Sequence, residues 1–272
     1  MTDIIIKTET EEINLSDRFL KLRFSGLQRT APQLFVEYLN FSGTTGQRIQ
    51  NQSFAPFSYS TRFLKEIERY EDGFLFETEF ESLLITDKEL WLINPNEPGK
   101  QFKVKVAIEI TEKNARYVMG SIEFFVYEGA GESLSTTLKA FSLDENWQFS
   151  QGLVSEDYEY THQTSRFTIF NAGDFPVDPR ENYLKIKIEG MSDGDLTVFN
   201  ATTGERFIYR GSLNSVRGET LTLDGVYPLK NGIHCGIDTN HGLISLVPGE
   251  NKIEISNASR IKTAWDFRFL YK

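Results

Sequence analysis

The side chains most able to do chemistry are few and scattered. The chain has three histidines, His162, His234 and His241, and one cysteine, Cys235. A catalytic zinc site needs about three protein ligands aimed at one point, and the sequence has no HExxH motif. His234 and Cys235 are adjacent, so on a strand their side chains would point to opposite faces and could not share a metal. We therefore predict no metal ligands and no bound cofactor.

Nucleophilic catalysis is not indicated either. A reactive thiolate needs a positioned base and an electropositive niche, and the Gly-Ile-His-Cys-Gly-Ile context of Cys235 resembles no thiol-protease signature. No serine lies in a G-x-S-x-G elbow. Gly129-Ala130-Gly131 follows a strand pattern, but the third glycine of a dinucleotide fingerprint would fall on Leu134, so we interpret it as a turn. We predict no catalytic and no cofactor-binding residues.

Two other kinds of site stay open as alternatives. A glycan hydrolase needs two carboxyl groups about 5 to 9 Å apart. We interpret most of the candidate acidic residues as solvent-facing strand residues. The candidates are Glu77, Glu79, Glu81, Glu156, Asp157, Glu159, Asp193 and Asp195. A lectin-like protein would stack a sugar on an exposed ring, for which Trp147 and Trp265 are candidates. Because Trp265 is in register with Phe267, Phe269 and Tyr271, we expect it in the core. Trp147 is less constrained.

Composition limits the partners. The 272 residues are enough for two hydrophobic cores. A net charge of −10 repels phosphate backbones and anionic lipid, so we expect neither nucleic acid nor membrane as a partner. The single cysteine excludes an intramolecular disulfide and indicates folding in a reducing cytoplasm. The N-terminal apolar run is confined to residues 4–6, so we expect no signal peptide and no membrane span.

Period-two alternation dominates the chain and predicts a mainly β protein. In the first half, Phe102, Val104, Val106, Ile108 and Ile110 share one face, and the alternation resumes over residues 118–126, which predicts a hairpin. In the second half, short alternating segments are separated by regularly spaced turns, as in a sandwich or jelly roll. These segments begin at Phe167, Leu184, Leu196, Phe207, Leu221, Leu243, Ile253 and Trp265.

One stretch departs from this alternation. Phe63, Leu64, Ile67 and Tyr70 fall at helical spacing, which predicts one short amphipathic helix over residues 61–70, capped by Ser60 or Thr61 and ended near Gly73. Residues 138–163 lack strand alternation and are interpreted as a domain junction. The expected domains are residues 1–140, a β-sandwich with the helix, and residues 141–272, a second β-sandwich.

Several weak motifs, in one order, resemble the distal tail protein family of siphophages that infect Gram-positive bacteria. The stretch from Tyr183 to Lys272 is similar to the family's C-terminal domain, and residues 63–94, 102–110 and 117–127 are similar to its helix and closing hairpin. The segments that carry the C-terminal resemblance are LKIKIEG (184–190), FNATTGERF (199–207), YRGSL (209–213), LTLDG (221–225), PGEN (248–251) and WDFRF (265–269).

The resemblance implies a particular assembly. The first domain would form a hexameric ring around the tail channel, and the second would be a galectin-like jelly roll used as a docking scaffold. The ring would link the tail tube protein to the tail-associated (tail fibre) protein and to the receptor-binding protein at the tail tip of the virion. The resemblance thus predicts a structural protein without enzymatic activity. The sequence does not indicate which residues form its interfaces. The alternative from another functional class is the lectin-like protein.

Overall fold

A computed structural model describes residues 3–43, 45–97, 99–139 and 158–272. The chain divides into two compact units, residues 1–131 with residue 272, and residues 132–271. The expected boundary at residues 140/141 lies outside the described residues and stays a prediction. No helix in the described part of the chain is long and apolar enough to cross a membrane.

The described residues of the first unit form ten strands and two helices. In chain order they are β1 (Ile5–Lys7), β2 (Glu12–Asn14), α1 (Leu15–Arg18), β3 (Leu22–Phe24), β4 (Gln28–Arg29), β5 (Leu34–Leu39), β6 (Arg48–Phe54), β7 (Phe57–Glu66), α2 (Tyr70–Leu84), β8 (Leu90–Ile93), β9 (Lys100–Lys113) and β10 (Tyr117–Val126).

Antiparallel pairing joins most of these strands in the order β2-β1-β8-β9-β10-β7-β3, with β4 also on β7, while β5 and β6 form a separate hairpin. The long strand β9 serves two parts of the sheet: residues 101–104 pair with β8, and residues 105–113 pair with β10. The predicted hairpin of residues 102–126 is therefore confirmed. One face of this sheet buries aromatic and aliphatic side chains in a single core with α2.

The helix lies further along the chain than predicted. Residues 57–66 form strand β7, whose inward Phe57, Tyr59, Thr61 and Phe63 keep period-two spacing and pair along ten residues of β10. The helix α2 spans Tyr70–Leu84, with Gly73 inside it rather than at its end. At its first turn, the carboxylate of Asp72 accepts a 2.9 Å hydrogen bond from the backbone N–H of Arg69.

A row of phenylalanines fixes α2 to the sheet. Phe76 and Phe80 are buried at i and i+4, and their rings stack with centroids 4.8 Å apart. Phe19 meets both rings edge-on, at 5.5 Å and 5.3 Å. The helix also places Glu77, Glu79 and Glu81 on its turns, so the interpretation of these carboxylates as strand residues is wrong.

The second unit is a β-sandwich. Its strands are β11 (Gly131–Ser133, which begins in the first unit), β12 (Thr161–His162), β13 (Arg166–Asn171), β14 (Leu184–Ser192), β15 (Leu196–Asn200), β16 (Glu205–Tyr209), β17 (Leu213–Asn214), β18 (Leu221–Asp224), β19 (Tyr227–Lys230), β20 (Ile233–His234), β21 (Gly249–Ser256), β22 (Ser259–Phe267) and β23 (Leu270–Tyr271).

Two sheets of this unit share one apolar core. One runs β12-β22-β14-β18-β19-β20, with β17 on β14, and the other runs β13-β21-β15-β16. Trp265, Phe267 and Phe269 are fully buried in this core, which confirms the core position predicted for Trp265. The predicted strand at residues 243–246 is wrong: only Leu246 forms an isolated bridge, with Val177.

Candidate interaction surfaces

The residues considered for catalysis are not brought together. In the described residues, no three His, Cys, Asp or Glu side chains are placed to hold a metal ion. Cys235 is buried, and burial raises the pKa of its thiol, which disfavours the reactive thiolate. His162 stacks on Phe167 with ring centroids 4.2 Å apart, and burial lowers its pKa.

Among the described residues, the candidate carboxylates and Trp265 likewise form no site. Glu77 of α2 pairs with Lys113 at 2.9 Å, which makes it part of the packing between α2 and the β9–β10 hairpin. Of the two lectin candidates, Trp265 is enclosed in the core. Trp147, Glu156 and Asp157 lie outside the described residues. Trp265 therefore offers no ring on which a sugar could stack.

The β5–β6 hairpin is the most exposed apolar feature of the first unit. An isolated two-stranded hairpin is at best marginally stable in water, yet Leu34, Phe35, Tyr38 and Ile49 are each at least half exposed, at 51, 57, 54 and 58 %. Large exposed apolar patches mark interaction sites on soluble proteins. The hairpin therefore has the character of a surface that is covered in an assembly.

The pairing register gathers most of the apolar side chains on one side of the hairpin. Opposed residues of an antiparallel pair share a face, and so do residues two apart on one strand. We call this side the apolar face; its members are Leu34, Val36 and Tyr38 of β5 with Ile49 and Phe54 of β6, and Gln52 is the polar residue among them. The other side carries the opposed pairs Glu37–Asn51 and Leu39–Arg48, together with Phe35.

The root of the hairpin is held firmly. Pro32 and Pro56 flank it on either side and restrict the backbone there. The backbone N–H of Ala55 donates to the carbonyl of Gln33 at 2.8 Å, and the guanidinium of Arg29 lies 4.3 Å from the ring centroid of Phe57. The apolar face is thus presented from a fixed base.

The second unit exposes apolar side chains at one edge of its larger sheet. Tyr227 of β19 and Ile233 of β20 are largely exposed, as is Ile237 in the 3-10 turn that follows β20. The ring of His234 meets that of Tyr227 edge-on at 5.4 Å. The opposite sheet protects its own edge strand β16, where the side chain of Asn240 accepts from Ile208 N–H at 2.8 Å and donates to the Arg206 carbonyl at 3.0 Å.

Comparison with known proteins gives one matching family model and several similar solved structures. Residues 6–126 match the family model of the phage tail protein RIFT-related domain, so the first unit is a phage tail protein domain of this kind. The chain is also similar in structure to the Dit protein of phage SPP1, described as a paradigm of the hub adsorption apparatus in phages infecting Gram-positive bacteria. The two sequences are 10 % identical, and the structures align with a TM-score of 0.67 over 98 % of this chain and 99 % of the Dit chain.

A second similar structure is a chain of the phage p2 baseplate in its activated conformation with strontium, at 11 % identity, 98 % coverage of both chains and a TM-score of 0.45. No curated protein sequence matches significantly. The predicted resemblance to siphophage distal tail proteins is confirmed by the domain match and by the shared fold. Residues 6–126 therefore carry a phage tail protein domain, and the chain shares the fold of the SPP1 Dit protein.

Sequence reasoning did not find the exposed hairpin. Its alternation is weak, because β6 is rich in amides (Gln50, Asn51 and Gln52) and neither face is fully apolar. The available signal was the pair of prolines, Pro32 and Pro56, that bracket a segment with several large apolar residues. Exposed and buried aromatics look alike in a sequence, so only the structure separates them.

Proposed function

We propose that six copies of this chain form a closed ring at the distal tip of the phage tail. The ring joins the tail tube protein to the tail-associated protein and to the receptor-binding protein, and it is assembled in the host cytoplasm before it becomes part of the virion. The second unit, galectin-like in this proposal, is the scaffold on which those outer components dock.

The observation that carries this proposal is the exposed apolar face of the β5–β6 hairpin. A closed cyclic assembly repeats one head-to-tail contact, which needs two different complementary patches on each subunit and no cofactor. The hairpin supplies one such patch, and its strands carry one carboxylate, Glu37, and one guanidinium, Arg48, so they add no net charge to a contact between copies.

The acidic charge supports the rest of the role. With a net charge of −10, a ring that surrounds a conduit does not retain passing DNA through phosphate contacts. Of the two tryptophans considered for the lectin-like alternative, Trp265 is buried in the core and Trp147 lies outside the described residues, so this alternative stays a prediction.

Light scattering on the purified full chain tests the ring. Six copies of 31.2 kDa amount to about 187 kDa, and negative-stain electron microscopy should show a six-fold ring. Tyr38→Glu places a charge on the apolar face and should shift the mass to that of a monomer. The matched control is Ser53→Glu, which adds the same charge on the other side of the same hairpin, opposite Phe35, and should leave the mass unchanged.

A wild-type protein that stays monomeric at tens of micromolar would overturn the ring. So would a six-fold ring that Tyr38→Glu leaves intact, since the hairpin would then not be the contact. Circular dichroism on both variants shows whether the fold is retained, because the two positions are exposed and neither substitution disturbs the core.

A further inference from the structure

A groove beside the edge strand β2 has a composition unlike that of the hairpin. Its volume is about 660 Å³, and its lining combines three carboxylates with three half-buried aliphatic side chains: Glu11, Glu12 and Asp17 with Ile5, Ile13 and Leu83. Leu83 comes from the last turn of α2, so the groove lies between the β1–β2 hairpin, α1 and that helix.

The carboxylates of the groove outnumber the cations beside them. None of the three carboxylates makes an ion pair with another described residue. Arg18 is the single cation among the described residues that line the groove, and Lys7, opposite Glu12 on β1, donates a hydrogen bond to Gln101 at 3.0 Å. A second copy of this acidic chain would meet repulsion there. A positively charged partner would gain attraction and could cover the aliphatic side chains with its own.

The backbone of β2 is open on the groove side of the pair. Thr8 N–H donates to the Glu11 carbonyl and Leu15 N–H to the Ile4 carbonyl, both across the β1–β2 pair. Hydrogen-bonded and non-bonded pairs alternate in antiparallel strands, so at Glu12, opposite Lys7, the N–H and the C=O point away from β1. In the described part of the chain, β2 pairs with β1 alone.

We propose that an extended segment of a partner protein, with basic and aliphatic residues in alternation, binds in this groove and adds a strand to β2. The main-chain groups of Glu12 would supply hydrogen bonds, as in other peptide complexes formed by strand addition. Because successive residues of the added strand point to opposite faces, its aliphatic side chains would lie on the face of Ile13 and Leu83, which pack against the core, and its basic ones on the opposite face beside Glu12. Glu11 and Asp17, which also line the groove, add to its negative potential. The inference does not require a ring, so it can fail or hold independently of the proposed function.

A designed probe tests the proposal on the full chain. The probe is a fluorescein-labelled octapeptide of alternating lysine and valine, titrated at low salt with fluorescence anisotropy as the readout. Two peptides serve as comparisons, alternating glutamate and valine, and alternating lysine and serine. We expect the lysine–valine peptide to bind, the lysine–serine peptide to bind at least about tenfold more weakly because its aliphatic contacts are gone, and the glutamate–valine peptide not to bind.

Two sets of variants locate the binding site. The triple variant E11Q/E12Q/D17N should weaken binding of the lysine–valine peptide by about 3- to 100-fold, the range for three exposed charge pairs. The control triple E71Q/E109Q/E123Q removes the same charge from exposed carboxylates elsewhere in the first unit, outside the β5–β6 hairpin, and should change binding by less than about twofold. Glu12→Pro should bind more weakly than Glu12→Gln, because proline also removes the outward N–H.

Equal losses in the two triple variants would mean nonspecific attraction to an acidic protein and would overturn the proposal. Equal binding of the lysine–valine and lysine–serine peptides would also overturn it, as would a self-association that the groove variants abolish while peptide binding is absent. Circular dichroism of Glu12→Pro and Glu12→Gln distinguishes loss of the edge from loss of the fold.

Discussion

Replacing Asn251 by aspartate should destabilise the second unit strongly, and by an amount that depends on pH. Asn251 is fully buried on β21. Its Nδ2 donates to the carbonyls of Val247, Gly249 and Ile169 at 2.8, 3.2 and 3.3 Å. Its Oδ1 accepts from the N–H of Val247 at 2.9 Å and from the side chain of Asn200 at 3.2 Å.

The magnitude follows from these contacts. In N251D, Oδ1 keeps its two donors, but an oxygen replaces Nδ2 and faces three carbonyl oxygens. A neutral carboxyl can donate to one of them, which leaves unsatisfied carbonyls that cost about 1 to 3 kcal/mol. Since an aspartate in the unfolded chain has a pKa of about 3.9, keeping the group protonated at pH 7 costs about a further 4 kcal/mol.

The sign of the pH dependence is fixed by burial. The folded-state pKa of the introduced carboxyl is raised above its unfolded value, because burial and the carbonyls disfavour the anion. The free-energy cost of keeping the introduced carboxyl protonated in the folded protein is therefore absent below about pH 3.9. Above that pH the cost grows by about 1.4 kcal/mol per pH unit until the folded-state pKa is reached. Relative to wild type, N251D should lose about 1 to 3 kcal/mol at pH 4 and about 5 to 7 kcal/mol at pH 7.

Guanidinium unfolding measures the loss of stability at each pH. The fluorescence of Trp265 reports the unfolding, so the other two tryptophans, Trp91 and Trp147, are replaced by phenylalanine in all variants. The control is Asn231→Asp, an exposed position where Oδ1 accepts from Thr220 N–H at 2.8 Å and that contact is retained. The control should match wild type at both pH values. A loss for N251D that is the same at pH 4 and pH 7, or a loss below 1 kcal/mol at pH 7, would refute the reasoning.

Two further predictions concern the first unit. In Gly120→Ala, the new Cβ would collide with the Glu109 carbonyl and the Phe63 ring, so we expect a loss of about 2 to 4 kcal/mol in chemical unfolding; Gly26→Ala, which meets nothing within 4 Å, should be close to neutral. Tyr59→Phe should raise stability by about 1 kcal/mol at pH 7, since the buried hydroxyl of Tyr59 has no hydrogen-bond partner in the described residues. Burial raises the pKa of Tyr59, so wild type should lose stability above about pH 10, where the unfolded tyrosine ionises, and the variant should lose less; equal losses would contradict this.

Most strands with a clear period of two could be predicted from the sequence. Strand β7 could not, because part of it was predicted as a helix. Phe63, Leu64 and Ile67 fit a helical spacing locally, but Phe63 also continues the alternation of Phe57, Tyr59 and Thr61. Pairing along β10 decides for the strand, because it satisfies backbone groups over ten residues. That pairing is a long-range contact, and no local pattern contains it.

The buried asparagines were missed for a related reason. Asparagine is a common turn residue, and Asn171, Asn200 and Asn251 each stand between two of the alternating segments, where turns were expected. In the structure they are fully enclosed and bind the backbone of residues 245–247 to the sheet. For Asn171 and Asn200, the residues that they bind are far away in the sequence. The spacing of residues along the chain therefore did not reveal this role of the asparagines.

The two surfaces of the first unit differ in a way that the charge of the chain explains. Copies that each carry a net charge of −10 repel one another, and the repulsion is strongest at short range. A contact between copies is therefore least costly where the surface is apolar and has no net charge, which describes the β5–β6 hairpin with Glu37 and Arg48. The excess of carboxylates over cations in the β2 groove would oppose such a contact and favour a basic partner instead. If both assignments are correct, raising the salt concentration should weaken peptide binding at the groove while leaving the association of copies through the hairpin unchanged or stronger.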